Sequence, residues 1–183
     1  MDEGVRSFIK AAAGHYGLKG KDVLEVGSHD VNGSTRPDLL ALEPKSYLGV
    51  DIAPGPGVDL VTSVHDLTAS FGERAFDAVV STEMLEHVED WRSAVNQMKA
   101  VLRPHGGIFL TTRHWGFPYH GYPHDYWRFE VIDLQDIFSD FIIAWAMAGP
   151  AKGAFIYAVK PLDYAPLDLG RLQMRPIGNY GRW

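Results

Sequence analysis

The sequence predicts an α/β domain built on a doubly wound, mostly parallel sheet that ends in an antiparallel hairpin. Three observations carry that prediction. Short apolar runs that stop at glycine or a small polar residue alternate with amphipathic stretches, the pattern of strands covered by helices on both faces. One stretch is unmistakably helical: Val88, Trp91, Val95, Met98 and Leu102 recur at steps of three and four until Pro104 stops them. Finally, the runs Phe141 to Met147 and Phe155 to Val159 are joined by Gly149-Pro150-Ala151-Lys152-Gly153, a link short enough to favour an antiparallel pair.

In chain order, Val5, Phe8, Ile9, Ala12 and Tyr16 mark a first helix, ended by Gly14 and Gly17. Val23 to Val26 reads as a buried strand entering a turn at Gly27. Tyr47 to Val50 is a second strand, ending at Asp51, and Asp59-Leu60-Val61 a third, weaker one. Phe76 to Val80 is the fourth, ending at Ser81-Thr82. After the long helix, Ile108 to Leu110 is reached through Gly106-Gly107, and Val131, Leu134, Ile137 and Phe138 mark the last helix. No internal repeat or linker divides the chain. Residues 1–160 read as one domain and 161–183 as an irregular arm rich in proline and glycine. The arm's Leu167, Leu169, Leu172, Met174 and Trp183 must pack on their own domain or on a second copy, so a homodimer through the arm is one expectation.

Composition narrows the function classes. With 183 residues, 46% of them hydrophobic, the chain can bury a full core. A net charge of −6 without a Lys/Arg stripe disfavours a nucleic-acid partner. The absence of cysteine removes disulfide and thiolate chemistry. Met1-Asp2-Glu3-Gly4 is not the start of a signal peptide, and no apolar run approaches the ~20 residues of a membrane helix, so a cytoplasmic protein without a membrane partner is expected.

In a doubly wound sheet, ligands bind beyond the carboxyl ends of the strands. Here those ends carry Glu25-Val26-Gly27-Ser28, then Asp51-Ile52, then Asp66-Leu67, then Ser81-Thr82-Glu83. Gly27 leaves room for close backbone approach. Asp51 can accept both hydroxyls of a ribose. Asp66 can accept from an exocyclic amine of adenine while the backbone around Leu67 meets the ring edge, with Ile52 and Leu67 on the faces of the base. Taken singly, each also reads as an ordinary turn glycine or solvated acid. Their succession at four strand ends favours a nucleoside cofactor.

Four stretches give this pattern a family. Val23-Leu24-Glu25-Val26-Gly27, Leu48-Gly49-Val50-Asp51, Phe76 through Val88 and Val101-Leu102-Arg103-Pro104-His105-Gly106-Gly107 together resemble the class I S-adenosylmethionine-dependent methyltransferases, in particular the small single-domain group. The resemblance runs from about Asp22 to Pro161. It implies a Rossmann-like sheet of seven strands with an antiparallel final strand, and S-adenosylmethionine as cofactor. It places Gly27 and Ser81 at the methionine end, Asp51 at the ribose, and Asp66 with Leu67 at the adenine. The chain departs from the family at its glycine loop, where His29 and Val31 stand in place of the second and third glycines, and Asn32-Gly33 can supply the turn. Glu25 and Asp30 either reach the cofactor's ammonium through water or serve buried and capping roles.

A sulfonium methyl is already electrophilic, so the enzyme's work is positioning the acceptor and, for a hydroxyl or amine, removing its proton. The segment His114-Trp115-Gly116-Phe117-Pro118-Tyr119-His120-Gly121-Tyr122-Pro123-His124-Asp125-Tyr126-Trp127-Arg128-Phe129 reads as a lid over a small-molecule acceptor. His124 is the first candidate for general base, with His120 and His114 behind it; His87 and Glu83 are alternatives at the fourth strand end. His124 with Asp125 also reads as a helix cap, and the aromatics as a secondary core. The spacing of His114, His120 and His124-Asp125 matches no compact ligand motif, so no metal is expected. Two competing classes are a non-catalytic methyltransferase-like subunit and a nicotinamide-dependent oxidoreductase, the latter opposed by the glycine spacing. The site reads Ser81-Thr82-Glu83-Met84 where base-modifying enzymes of this fold carry Asn/Asp-Pro-Pro-Tyr, which disfavours DNA as substrate.

Overall fold

A computed structural model describes residues 2–121 and 124–177. Helix α1 (Glu3–Tyr16) starts where the Asp2 carboxylate accepts the Gly4 N–H at 2.8 Å, and stops at Gly17, whose φ of 81° only glycine adopts without strain. The strands are β1 (Asp22–Val26), β2 (Ser46–Asp51), β3 (Leu60–Val61), β4 (Phe76–Thr82), β5 (Leu102–Arg113), β6 (Trp127–Arg128), β7 (Ile142–Gly149), β8 (Gly153–Val159) and β9 (Arg175–Pro176). The remaining helices are α2 (Arg36–Leu40), α3 (Leu67–Phe71), α4 (Trp91–Val101) and α5 (Val131–Ile137).

The main sheet has seven strands in the order β3-β2-β1-β4-β5-β8-β7. Pairings from β3 through β5 are parallel, whereas β8 runs antiparallel to both β5 and β7. The chain order reverses between β1 and β4, so loops leaving those strands diverge to opposite faces and leave a crevice.

One face buries Val5, Phe8, Ile9, Ala12 and Ala13 of α1 against Phe109, Phe155 and Tyr157. The other buries Trp91, Val95 and Met98 of α4 with Leu134 and Ile137 of α5 against Leu24, Val79, Ile108 and Ile156. These side chains alternate along the strands, as a sheet covered on both faces requires. α4 ends at Val101 because Leu102 is already extended, two residues ahead of Pro104.

The arm packs on its own domain. Leu169 and Met174 are buried in the α4 side of the core, the Arg92 guanidinium donates to the carbonyls of Leu169 and Leu172, and β9 pairs with β6. Leu169 and Met174 are therefore buried within the chain. Trp183 lies outside the described residues. Among the described residues, no helix is long and apolar enough to cross a membrane.

Candidate active site

The crevice between β1 and β4 gathers the strand ends. At the exit of β1, the N–H groups of Gly27 and Ser28 both donate to the Val50 carbonyl, at 2.9 and 3.0 Å, which turns the chain sharply beside β2. Gly27 has φ of 80°, and a Cβ there would lie 2.6 Å from Met84 Cγ. The glycine thus lets the segment after β4 close onto the turn after β1, and the space expected to be open to ligand is lined by an unbranched, adaptable methionine.

Other strand-end residues divide into those facing the crevice and those absorbed by the fold. Asp51 is half-buried; one carboxylate oxygen accepts the His29 N–H at 3.2 Å and the other the Ala53 N–H at 3.1 Å. Each oxygen keeps a second lone pair for a ribose hydroxyl. The Ser81 hydroxyl is buried at the end of β4 without a hydrogen-bond partner, an orphan that a polar ligand atom would satisfy. Asp66 is exposed and makes no cap with its own side chain, and Ile52 is 77% exposed beside Asp51. These four fit a nucleoside cofactor.

One expectation is corrected. Leu67 is fully buried in the core, so its side chain cannot cover a base, which leaves it only the backbone contact to the ring edge. The Ser28 hydroxyl is buried beside Gly49 of β2 and, like that of Ser81, has no hydrogen-bond partner. Glu25 is buried beneath the sheet end, accepting from the Tyr47 hydroxyl at 2.8 Å and the Thr35 hydroxyl at 3.5 Å. Burial pushes its carboxyl up to about 7 against the pull of those bonds. It braces β1 to β2, the buried role that the sequence left open beside a cofactor contact. Asp30 likewise caps its own turn, accepting the Gly33 N–H at 2.7 Å, while the His29 ring packs on Gly55. The non-glycine residues of this loop therefore serve to hold down the segment 55–57.

Beyond β4 the structure assembles a carboxylate–imidazole cluster. Glu83 adopts φ of 55°, an uncommon conformation for a non-glycine residue and of the kind that collects at functional sites. It pairs with the Arg113 guanidinium. Burial, then repulsion from Glu86, raises its carboxyl to about 7. Glu86 is fully buried: Oε2 accepts from the Thr112 hydroxyl at 2.8 Å, and Oε1 has no hydrogen-bond partner. That free oxygen faces His120 Nε2 at 3.7 Å and His87 Nε2 at 4.0 Å.

The lid candidate is ordered around a buried ion pair. Arg128 holds Asp125 bidentately at 2.6 and 2.7 Å and donates to the carbonyls of Phe117, Pro118 and Trp127. Asp125 in turn accepts from the His120 N–H at 3.0 Å and lies 2.9 Å from His120 Nδ1. Against the burial that would raise it, Arg128 and His120 hold the Asp125 carboxyl well below the usual range. The hydrogen bond to Asp125, then the nearby Glu86 carboxylate, raises His120 to about 9, above the range of the free imidazole expected.

His124 is corrected more strongly. Its ring is exposed and packs on Tyr126; its carbonyl, not its imidazole, meets the cluster, 2.6 Å from His87 Nδ1. His114 pairs with Glu130 at 2.6 Å, away from the cluster. Tyr122 and Pro123 lie outside the described residues. Sequence reading did not find Glu86, Thr112, Arg113 or Asp125 as site residues. The available signal was the placement of two polar stretches after β4 and β5, which are neighbours in the sheet.

A seven-stranded sheet in this order, with an acid ending β2 and a crevice at the β1/β4 reversal, defines the class I S-adenosylmethionine-dependent methyltransferase architecture. A sequence model described as a methyltransferase domain matches residues 1–149, and the chain belongs to that family. It is similar to the ubiquinone biosynthesis O-methyltransferases of Chromobacterium violaceum, 33% identical over 112 residues, and Haemophilus ducreyi, 35% over 114 residues. Those matches take in 54% and 52% of this chain and 47% of each relative, so the chain matches about half the length of these relatives. Among solved structures, it resembles the Burkholderia thailandensis 1,6-didemethyltoxoflavin-N1-methyltransferase with bound 1,6-didemethyltoxoflavin and S-adenosylhomocysteine. That likeness has a TM-score of 0.71 at 18% identity, covering 87% of this chain and 80% of that one. A methyltransferase from Aquifex aeolicus gives a TM-score of 0.64 at 14% identity, covering 87% and 93%.

Proposed function

We propose that this chain transfers a methyl group from S-adenosylmethionine to an oxygen of a small-molecule acceptor held over the end of β4. The carrying observation is the cluster of Glu83, Glu86, His87 and His120 beside the Met84–Gly27 contact at the sheet's reversal point. The names of the O-methyltransferase relatives support oxygen as the acceptor atom.

When bound, S-adenosylmethionine supplies an electrophilic methyl group and leaves as S-adenosylhomocysteine. Asp51 holds the ribose hydroxyls, and Ser81 offers its unpartnered hydroxyl at the methionine end. Glu83 takes the proton that the acceptor hydroxyl releases as the new carbon–oxygen bond forms. A carboxylate held near neutrality is matched to that task, and its pairing with Arg113 fixes its direction. The segment from His114 to Phe129, anchored by Arg128, shields the acceptor from water.

Calorimetry with S-adenosylhomocysteine tests the cofactor half. Asp51→Ala removes two charge-assisted bonds and is expected to weaken affinity about 10- to 100-fold. Unchanged affinity would refute the assignment. Radiolabelled methyl transfer to a panel of phenols and alcohols tests the acceptor half. Glu83→Gln is expected to lower kcat about 10²-fold or more with little change in S-adenosylhomocysteine binding. Labelling confined to nitrogen acceptors would overturn the reading of oxygen.

A further inference from the structure

The geometry points to a metal site. We propose that Glu86, His87 and His120 bind one divalent first-row transition-metal ion, such as Zn²⁺ or Co²⁺, beyond the end of β4. One atom from each residue, a Glu86 carboxylate oxygen and an imidazole nitrogen from each histidine, lies within 4.8 Å of the others. Ligands about 2.0–2.2 Å from a common ion stand roughly 3–3.5 Å apart, so side-chain closures of up to about 1.5 Å complete the set.

Four independent features distinguish this from a chance meeting of polar side chains. Both histidines have Nδ1 directed at an acceptor: His120 at Asp125 Oδ2, 2.9 Å, and His87 at the His124 carbonyl, 2.6 Å. Acceptors at both Nδ1 positions fix the ring orientations so that both Nε2 atoms face Glu86, where a metal ion would displace the proton on Nε2. Glu86 itself is oriented from behind by the Thr112 hydroxyl on Oε2, leaving Oε1 buried and without a hydrogen bond. In the metal-free protein that oxygen has only imidazole nitrogens at 3.7 and 4.0 Å, beyond hydrogen-bond reach, and a metal ion between them would satisfy it directly. The nearest guanidinium, Arg113, is already committed to Glu83 and stands 4.0 Å from Glu86.

Two imidazoles and one carboxylate suit a borderline transition ion better than Mg²⁺ or Ca²⁺, which prefer all-oxygen shells. Three protein ligands also leave positions open, the mark of a reactive site and not a structural one. Glu86 forms the floor, while the side chains of His87 and His120 are 25% and 30% exposed, so the open positions face outward. There an acceptor oxygen can coordinate; this last clause alone rests on the function proposed above.

The test titrates metal-free protein with Co²⁺ and Zn²⁺, following the Co²⁺ visible spectrum and calorimetric stoichiometry. One ion per chain is expected, with affinity lowered at least 100-fold in His87→Ala and in His120→Ala. Glu86→Gln keeps the buried shape and should lose the ion while keeping the fold, checked by circular dichroism. Asp125→Asn, which leaves all three ligands, should weaken binding about 10- to 100-fold through misorientation of His120. His114→Gln, outside the cluster, should bind as the parent does. Absence of stoichiometric binding, or binding indifferent to His87→Ala and His120→Ala, overturns the proposal. S-adenosylhomocysteine binding is measured on the same metal-free samples, so a failed methyltransferase reading shows as lost nucleoside affinity while a failed metal site leaves that affinity intact.

Discussion

At the residue scale, buried ionisable groups are the most informative feature, and Glu25 gives a clean prediction. Its carboxyl is raised from an ordinary 4.5 to about 7, chiefly by burial. The unfolded chain therefore releases this proton more readily than the folded one. Its contribution to stability is full below about pH 4.5 and is lost as pH rises through about 7, by at most about 3 kcal/mol. Glu25→Gln keeps the shape and removes the titration. The difference in urea-unfolding free energy between variant and parent should then shift in the variant's favour between pH 5 and pH 8. A difference independent of pH would show that Glu25 titrates alike in both states. The same scale explains what sequence reading could and could not reach. Asp51 stands where the sequence placed it, half-buried at the end of β2. For Glu25 the sequence left a cofactor contact and a buried role open, because the choice depended on Tyr47 and Thr35, one from the neighbouring strand and one from the entry to α2, which local pattern does not connect.

At the scale of elements, apolar runs located each long strand, while tertiary contacts set their ends. β5 was read as Ile108 to Leu110 but runs over Leu102–Arg113, because its edges are polar residues held by pairing with β4 and β8. The five-residue helices α2 and α3 and the two-residue pair β6–β9 are too short to generate a period, so pattern could not announce them. The meeting of Glu86, His87 and His120 was hidden for a related reason, although both histidines were candidates: the segments that carry them come together because β4 and β5 are adjacent. The arm offers the test of this level. Leu169 is buried against the α4 side of the core, with its carbonyl tied to Arg92. Leu169→Ala should destabilise the protein by about 2–4 kcal/mol, measured by chemical denaturation. Limited proteolysis should then cut first within 161–177. A change under about 0.5 kcal/mol would mean that the arm is not part of the folding unit.

At the scale of the whole molecule, the sheet consists of two halves that wind in opposite directions from β1 and β4. Two parallel strands join them, and the crevice opens along that seam. Asp51 belongs to one half and Ser81 to the other, so a nucleoside held by both bridges the halves. Ligand that binds only the folded state stabilises it by mass action, about 2.7 kcal/mol at a hundred times its Kd. For a chain of this size, each kcal/mol raises Tm by about 2–4 °C, which sets an expected gain of roughly 5–10 °C with S-adenosylhomocysteine. Amide exchange locates the gain. Slowing should concentrate in 26–30, 51–53 and 81–84, the strand ends on the two sides of the seam, and should spare the β7–β8 hairpin at the far edge. Protection restricted to one half would mean that the ligand does not span the reversal point. Uniform protection with the full rise in Tm would mean instead that the molecule opens only globally, with the seam no weaker than the rest of the sheet.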